Sequence, residues 1–401
     1  WILGLKGITS CLTILVARLV LMNLAPWSVN NMVVVTLWGV VMLALVGCTE
    51  NSQKVLVFHG ITMGTSYTIK LLNVPPKLQA AKIERTIAAI LAKLHNQMST
   101  YTNDSEISQF NVSQSIGWFP VPKDLCVVVA TALRVSELTN GAFDITVAPL
   151  INLWGFGVDV AQTKPPPDAK IEAMLQQIGY QHLQARCDAP IPALRKDQSG
   201  ITIDLSAIAQ GYGADKVADY LDDLGIQDYL VDVGGELRGH GLNPYGQFWR
   251  IGIQKPTPDS YGNAEHVVHI KNRAVATSGT YRNFFEHNGT RYSHTIDPRT
   301  GLPVTHNLVS VTVVTTNATD ADALATALSV LGPVDGYNLA VQQALAVVFI
   351  VQNESKLITI TTPHNVTTTM LLTLQGAKFI KTNLATKIVK HDVIPFNPKI
   401  Q

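Results

Sequence analysis

No Cys-x-x-Cys pair, His-Glu-x-x-His helix, Gly-Lys-Ser/Thr phosphate loop or Gly-x-Gly-x-x-Gly turn after a strand occurs in these 401 residues. Zinc hydrolase, P-loop and Rossmann readings thereby lose their main support. Charge of one sign is also missing: 30 Lys and Arg stand against 29 Asp and Glu, a formal net of +1. Aromatic residues make up only 7%. Without a basic excess to neutralise phosphates, nucleic acid is excluded as the main partner. Cysteine is scarce, and past Cys48 only Cys126 and Cys187 remain. An oxidising compartment would let these two bridge, and the sequence leaves bridged and free thiols equally open. Apolar residues are plentiful at 47%, enough for one large domain or two smaller ones.

The first residues differ from the rest. From Val33 to Gly47 the chain is almost wholly apolar, and Cys48 follows. That run is short for a bilayer span and suits a secretory h-region, although Lys6 and Arg18 are the only basic residues before Cys48. Leu45-Val46-Gly47-Cys48 looks like a bacterial lipobox, whose cysteine becomes the acylated N-terminus. The alternative is an anchor helix that is never cleaved. Both place the globular part outside the cytoplasm, tethered to a membrane. The expected divisions are a signal or anchor region over 1–48, a globular domain over 49–365 and a C-terminal extension over 366–401.

Within the domain, Val55–Leu72 reads as a hairpin turning at His59-Gly60, with Met63-Gly64-Thr65 between its strands. Ala80–Met98 is amphipathic, with Ile83, Ile87, Ile90, Leu91 and Leu94 on one stripe. Asp104-Ser105-Glu106 is a capped start to a short helix. Tyr101 fits core filling better than ligand stacking. Helices are expected over Leu125–Thr139 and Ile171–Ile178. The patch Trp154-Gly155-Phe156 suits a flat ligand or a tight core corner. Ile201–Leu205 reads as a strand, with Ser206 capping a helix over Ala207–Leu224. At the end of that strand, Asp204 fits ligand binding and helix charge compensation equally. Tyr229–Arg238 runs into a Gly-Gly break, and Ala274–Gly279 and Val309–Val314 are further strands. Helices over Asp320–Leu331 and Tyr337–Gln343 and a hairpin from Ala346 to Thr361 complete the domain.

The chemistry concentrates in Tyr292-Ser293-His294-Thr295-Ile296-Asp297-Pro298-Arg299-Thr300-Gly301, in Thr277-Ser278-Gly279, and in the acidic start of the Asp320 helix. Asp322 and Thr326 are four apart, hence neighbours on one helix face. An acidic first turn is common for capping reasons alone. Beside a titratable imidazole, however, a carboxylate with a hydroxyl and backbone oxygens suits Mg²⁺, which takes its remaining ligands from water and substrate phosphates. His294 then becomes a plausible base for deprotonating a hydroxyl.

Several ordered motifs together resemble one family. They are Met63-Gly64-Thr65, Met98–Ser108, Gly141-Ala142-Phe143-Asp144-Ile145-Thr146, Ile203–Tyr212, Asp232-Val233-Gly234-Gly235-Glu236, Thr277-Ser278-Gly279, His294–Gly301 and Ala321–Ala327. Across residues 55–360 the chain is similar to the FAD:protein FMN transferases of ApbE type. The resemblance implies an α+β fold of mixed and antiparallel sheets with packed helices, in two interlocked lobes with FAD in the cleft. It implies transfer of FMN from FAD to a threonine hydroxyl of a flavoprotein, with release of AMP. The acceptor would be a membrane redox subunit, of the sodium-pumping quinone reductase type or a related complex. The enzyme would be lipid-anchored through Cys48 at the periplasmic face of the bacterial inner membrane. By matching positions, Met63, Tyr101, Ala142, Phe143, Asp144, Asp204 and Ile296 would line the FAD site. Gln210 would join them, at a position where lysine or glutamate is usual. Mg²⁺ would be held by the Ala207 carbonyl, Asp322 and Thr326 with the Ala325 position beside them, and His294 would be the base. Hydrolysis of FAD to FMN and AMP, or flavin carriage without chemistry, remain alternatives.

Overall fold

The computed structural model describes residues 55–157, 164–257, 264–280, 284–354 and 356–363. The region up to Cys48 and the C-terminal extension lie outside the described residues. Among the described residues no helix is long and apolar enough to cross a membrane.

In chain order, strands β1 (Leu56–Thr62) and β2 (Thr65–Leu72) lead into helices α1 (Ala80–Met98) and α2 (Glu106–Val112). The short strand β3 (Phe119–Pro120) is followed by α3 (Lys123–Leu138), α4 (Ala148–Leu153) and α5 (Asp168–Leu175), then β4 (Leu183–Arg186) and β5 (Ala193–Lys196). After α6 (Ala209–Asp223) come β6 (Asp228–Val233), β7 (Glu236–His240), β8 (Trp249–Gln254), β9 (Ala264–Ile270) and β10 (Arg273–Gly279). The loop region holds β11 (Phe284–His287), β12 (Thr290–Ser293), β13 (Ile296–Asp297) and β14 (Leu302–Pro303). It leads to β15 (Leu308–Thr315), α7 (Ala318–Gln342), β16 (Ala346–Asn353) and β17 (Lys356–Thr361).

The main sheet has eight strands in the order β1-β2-β6-β7-β10-β15-β16-β17, every neighbouring pair antiparallel. Both of its faces are covered, which explains near-continuous apolar strands such as Ala346–Val351. Val347, Phe349 and Val351 pack toward the helices, while Val348 and Ile350 join Trp249, Ile251 and Val268 of the β8–β9 hairpin on the other face. A three-stranded sheet, β3-β5-β4, packs with α2 and α3 through the same large core that reaches α7 and β15. The mixed α+β architecture is as the resemblance implied, and its two parts share that core.

The differences from expectation are local. The first hairpin turns at Met63-Gly64, not His59-Gly60. His59 and Gly60 pair in the ladder with Thr68 and Tyr67, and Met63 and Gly64 both have positive φ (48° and 72°), as a two-residue hairpin turn with matched twist requires. Ile201, Ile203 and Leu205 are buried, but the 201–205 segment pairs with no strand among the described residues. The Asn111 side chain instead bonds both the N–H and C=O of Ile203, and the Asp204 N–H donates to the Ile145 carbonyl. Ser206 caps nothing, because its hydroxyl is turned to Asp204, and α6 begins later, at Ala209. The two expected C-terminal helices run on as α7, broken at Gly332 with φ 77° and ψ −174°. Cys126 and Cys187 are joined in a disulfide that ties α3 to the end of β4.

Candidate functional site

The strand register places three features at one end of the main sheet. They are the Met63-Gly64 turn, the Gly234-Gly235 turn between β6 and β7, and Ser278 near the end of β10. Helices α6 and α7 meet there. Gly211 in the first turn of α6 allows the approach, since a Cβ on it would sit 2.3 Å from the Ala318 carbonyl oxygen and 2.8 Å from Asp322 Cβ. Its N–H donates to Asp322 Oδ2 at 3.0 Å. As the third residue of α6 its amide has no acceptor within the helix, and here it faces a carboxylate from another helix. Asp322 is therefore bound to α6 from the side, as a capping anion would be. Thr326 lies one turn along α7, with its hydroxyl 3.1 Å from that of Ser278. Ala325, between them, has its methyl in the core.

Two carboxyls are buried at this point. Asp322 is 6% exposed and Glu236, which opens β7, is 8% exposed. Burial pushes the Asp322 carboxyl up to about 7, although the Gly211 amide pulls the other way. Burial first, and then the nearby Asp322 charge, push Glu236 higher still. Among the described residues Glu236 Oε2 has no hydrogen-bond partner. A Cβ on Gly234 would meet that oxygen at 3.2 Å and Gln210 Cδ at 3.3 Å, so Glu236 and Gln210 share one notch. Met63 folds over α6, its methyl 3.5 Å from where a Cβ on Gly213 would be.

The remaining candidates continue from this segment. Asp204 accepts from Thr100 Oγ1 at 2.9 Å and from the Ser206 N–H at 2.8 Å, tying the Tyr101 loop to the approach of α6. Its hydrogen bonds go to Thr100 and to Ser206 just before α6, not to the first amides of that helix. Tyr101 itself is 77% exposed. The core-filling expectation for it was wrong, because the Ser105 cap ties the loop to Ser99 and leaves the ring outside. Ala142, Phe143 and Asp144 are buried. Both Asp144 oxygens are engaged, Oδ1 by the Thr146 N–H and hydroxyl and Oδ2 by the Tyr180 N–H. Asp144 thus fixes its loop, while burial raises its pKa against the pull of those bonds. Gly141 in the same loop lies beside the Arg299 side chain, which pairs with Asp297 at 2.7 Å.

Ile296 is buried with Leu150, Trp154 and Ile171. The Trp154–Phe156 patch proves to be a packed corner: Trp154 donates to the Gly301 carbonyl at 2.8 Å and stacks on Phe285 and Tyr292. Its neighbour Phe156 meets the half-buried His294 ring edge-on at 6.3 Å. Strand β13, just after His294, packs against α7, so the imidazole loop adjoins the helix that carries Asp322 and Thr326. A cavity of about 360 Å³ opens elsewhere, at the opposite end of β10 and β15. It is lined by Arg134, Arg273, Thr316 and Asp320 among others and contains none of these candidates.

Among the described residues no group of three His, Cys, Asp or Glu side chains could hold a metal ion. The oxygen donors expected from the sequence are instead one carboxylate (Asp322), one hydroxyl (Thr326) and the Ala207 carbonyl. That set suits a hard cation completing its shell with water and phosphate, and does not suit zinc. The unpartnered Glu236 oxygen beside them fits the same conclusion. Sequence reasoning assigned Glu236 no part; its only signal was a carboxylate placed directly after the paired glycines. Asp215 was missed too. It accepts from the Ala318 and Thr319 N–H groups and fixes the start of α7.

A family model described as ApbE family matches residues 63–349. The chain belongs to the ApbE family. It is 41% identical over 313 residues to an FAD:protein FMN transferase of Vibrio cholerae, covering 78% of this chain and 92% of that protein. The FAD:protein FMN transferase of Escherichia coli is 41% identical over 315 residues, covering 77% and 89%. Among solved structures, the flavin transferase ApbE from Vibrio cholerae matches with a TM-score of 0.71 at 39% identity, covering 78% of this chain and 98% of that one. The apo form of the Pseudomonas stutzeri flavinyl transferase ApbE matches with the same TM-score of 0.71 at 38% identity, covering 78% and 96%. Other ApbE-family relatives therefore share both the architecture and most of the length of this domain.

Proposed function

We propose that this ApbE-family chain is an FAD:protein FMN transferase that uses Mg²⁺ to move FMN from FAD onto a threonine hydroxyl of a flavoprotein. The observation that carries the reading is the buried Asp322 carboxylate with Thr326 one turn on, upon a helix that packs against the His294 loop. Relatives named FAD:protein FMN transferase support the flavin-transfer part of it. Asp322, Thr326 and the Ala207 carbonyl would hold the ion. Bound there, Mg²⁺ would offset negative charge gathering on the diphosphate.

The other roles fall to the protein's own groups. A ring nitrogen of His294 takes the acceptor hydroxyl proton as its oxygen bonds to the FMN phosphorus. The bond from that phosphorus to the bridging oxygen breaks, and AMP leaves with the electron pair. Phe156 restrains the imidazole from one side, and holding both reactants in place lowers the barrier. Tyr101, standing free of the core, would stack on a ring of FAD. Met63, Gln210, Asp204, Ile296 and the Ala142–Asp144 loop would shape the remainder of the site. The enzyme works at the periplasmic face of the inner membrane, anchored by an acylated Cys48, and modifies membrane redox subunits. The Cys126–Cys187 bridge favours that oxidising side.

The test is incubation with FAD, Mg²⁺ and a threonine-bearing acceptor domain. In-gel flavin fluorescence on the acceptor is the expected result. Free FMN would replace transfer by hydrolysis, and unchanged FAD would leave a flavin carrier.

A further inference from the structure

Glu236 takes no part in the chemistry above, yet it lies beside the Gln210–Gly211 segment that holds Asp322. It follows the Gly234-Gly235 turn directly, is 8% exposed, and its Oε2 has no hydrogen-bond partner among the described residues. Native structures rarely leave a buried carboxyl oxygen unmatched, because its lost hydration is not replaced. Its surroundings locate the missing partner. The oxygen shares the Gly234 notch with the Gln210 side chain. The residue after Gln210 is Gly211, whose N–H holds Asp322 Oδ2. Glu236 therefore stands beside the peptide that fixes Asp322, on a strand that carries none of the proposed ligands.

A hydrated Mg²⁺ held by the residues proposed above would supply such a donor. It keeps several of its waters, and each bound water presents O–H donors to groups beyond the ligands themselves. With Asp322 as the only carboxylate ligand, a second carboxyl one water away also brings the local charge closer to balance. We propose that Glu236 is a positioning residue that accepts a hydrogen bond from a magnesium-bound water, setting the affinity of the ion site without touching the ion. This rests on the magnesium reading given above.

The test titrates magnesium chloride alone into the full chain without FAD, by calorimetry and by the magnesium-induced rise in melting temperature. Glu236→Gln should weaken magnesium binding by about 10- to 100-fold, while melting as wild type does in chelator. Glu236→Asp, which keeps the carboxylate on a shorter stem, should recover part of the affinity. Equal magnesium affinity in wild type and Glu236→Gln, with Asp322→Ala abolishing binding, would overturn this role and leave the ion site standing. Equal weakening by Gln and Asp, together with a lowered melting temperature in chelator, would reduce Glu236 to a structural group. Absence of magnesium binding by wild type would overturn the ion reading and this one with it.

Discussion

Lys196 and Glu236 are both buried ionisable side chains at strand ends, 1% and 8% exposed, and they differ in what surrounds the charge. The Lys196 ammonium donates to the carbonyls of Phe110, Asn111 and Ile201 at 3.2, 3.1 and 2.9 Å. Burial pulls its pKa down, but all three of its N–H groups have acceptors. It holds the unpaired 201–205 segment against α2. Glu236 keeps one oxygen with no partner, next to a second buried carboxyl. Burial alone therefore says little about function. A satisfied buried charge builds the lobe around β5, whereas an unsatisfied one marks the end of the sheet where α6 and α7 meet.

The largest effect expected from this contrast is at Asp322. Asp322→Ala should lower flavin transfer by about 10³-fold or more, because charge stabilisation at the reacting phosphate is lost. Stability should change little. The Gly211 amide loses its acceptor, at about 1 kcal/mol, but a buried carboxyl disappears. A variant that kept the wild-type rate in magnesium-limited buffer would place Asp322 with Lys196, as a cap for α6 and nothing more.

The disulfide tests the other side of the comparison. It joins residues 61 apart in the β5 lobe, and opening a loop of that length costs about 4 kcal/mol in the chain-entropy account. Replacing both cysteines with alanine should lower the melting temperature accordingly, with flavin transfer per folded molecule unchanged. A large activity loss in protein that remains folded would show that the two regions are coupled. Lys196→Met comes next. It strips three buried carbonyls of their donor and should cost about 3 kcal/mol in denaturant unfolding, again with little change in magnesium affinity. A shift in that affinity would break the division between building and binding groups.

How far the sequence was readable follows the same division. The helix Ala80–Met98 matched residue for residue, because an apolar stripe at helical spacing is a local signal. The disulfide could not be read, since pairing depends on geometry between distant segments. Ile201–Leu205 carried a strand pattern, yet Asn111 and Lys196 satisfied its backbone instead of a neighbouring strand. Local pattern cannot reveal such long-range substitutions. At the site, Asp322 and Thr326 stood out by their i, i+4 spacing. Asp322's grip on the Gly211 amide spans 111 positions and was invisible, as was the orphaned oxygen of Glu236. Tyr101 was misjudged for a related reason: exposure is set by the capped loop around it, not by the hydrophobicity of the ring.

The smallest effect expected is on metal-free stability as a function of pH. The folded state raises the Asp322 pKa from 3.8 to about 7, burial being the main cause. A raised carboxyl favours the protonated folded form, so its contribution is fully present below the unfolded value and is lost as pH rises through about 7. In chelator, the wild-type melting temperature should therefore fall between about pH 4 and about pH 7 relative to Asp322→Asn, which carries no proton to lose. The difference should be on the order of 1 to 2 kcal/mol, below the full shift, because water relaxes around a buried carboxyl once it ionises. Added magnesium should cancel the fall, since the ion favours the charged form that burial opposes. Parallel pH curves for wild type and Asp322→Asn, unchanged by magnesium, would mean that Asp322 is as well satisfied as Lys196, and the contrast between the two ends of the molecule would fail at its central residue.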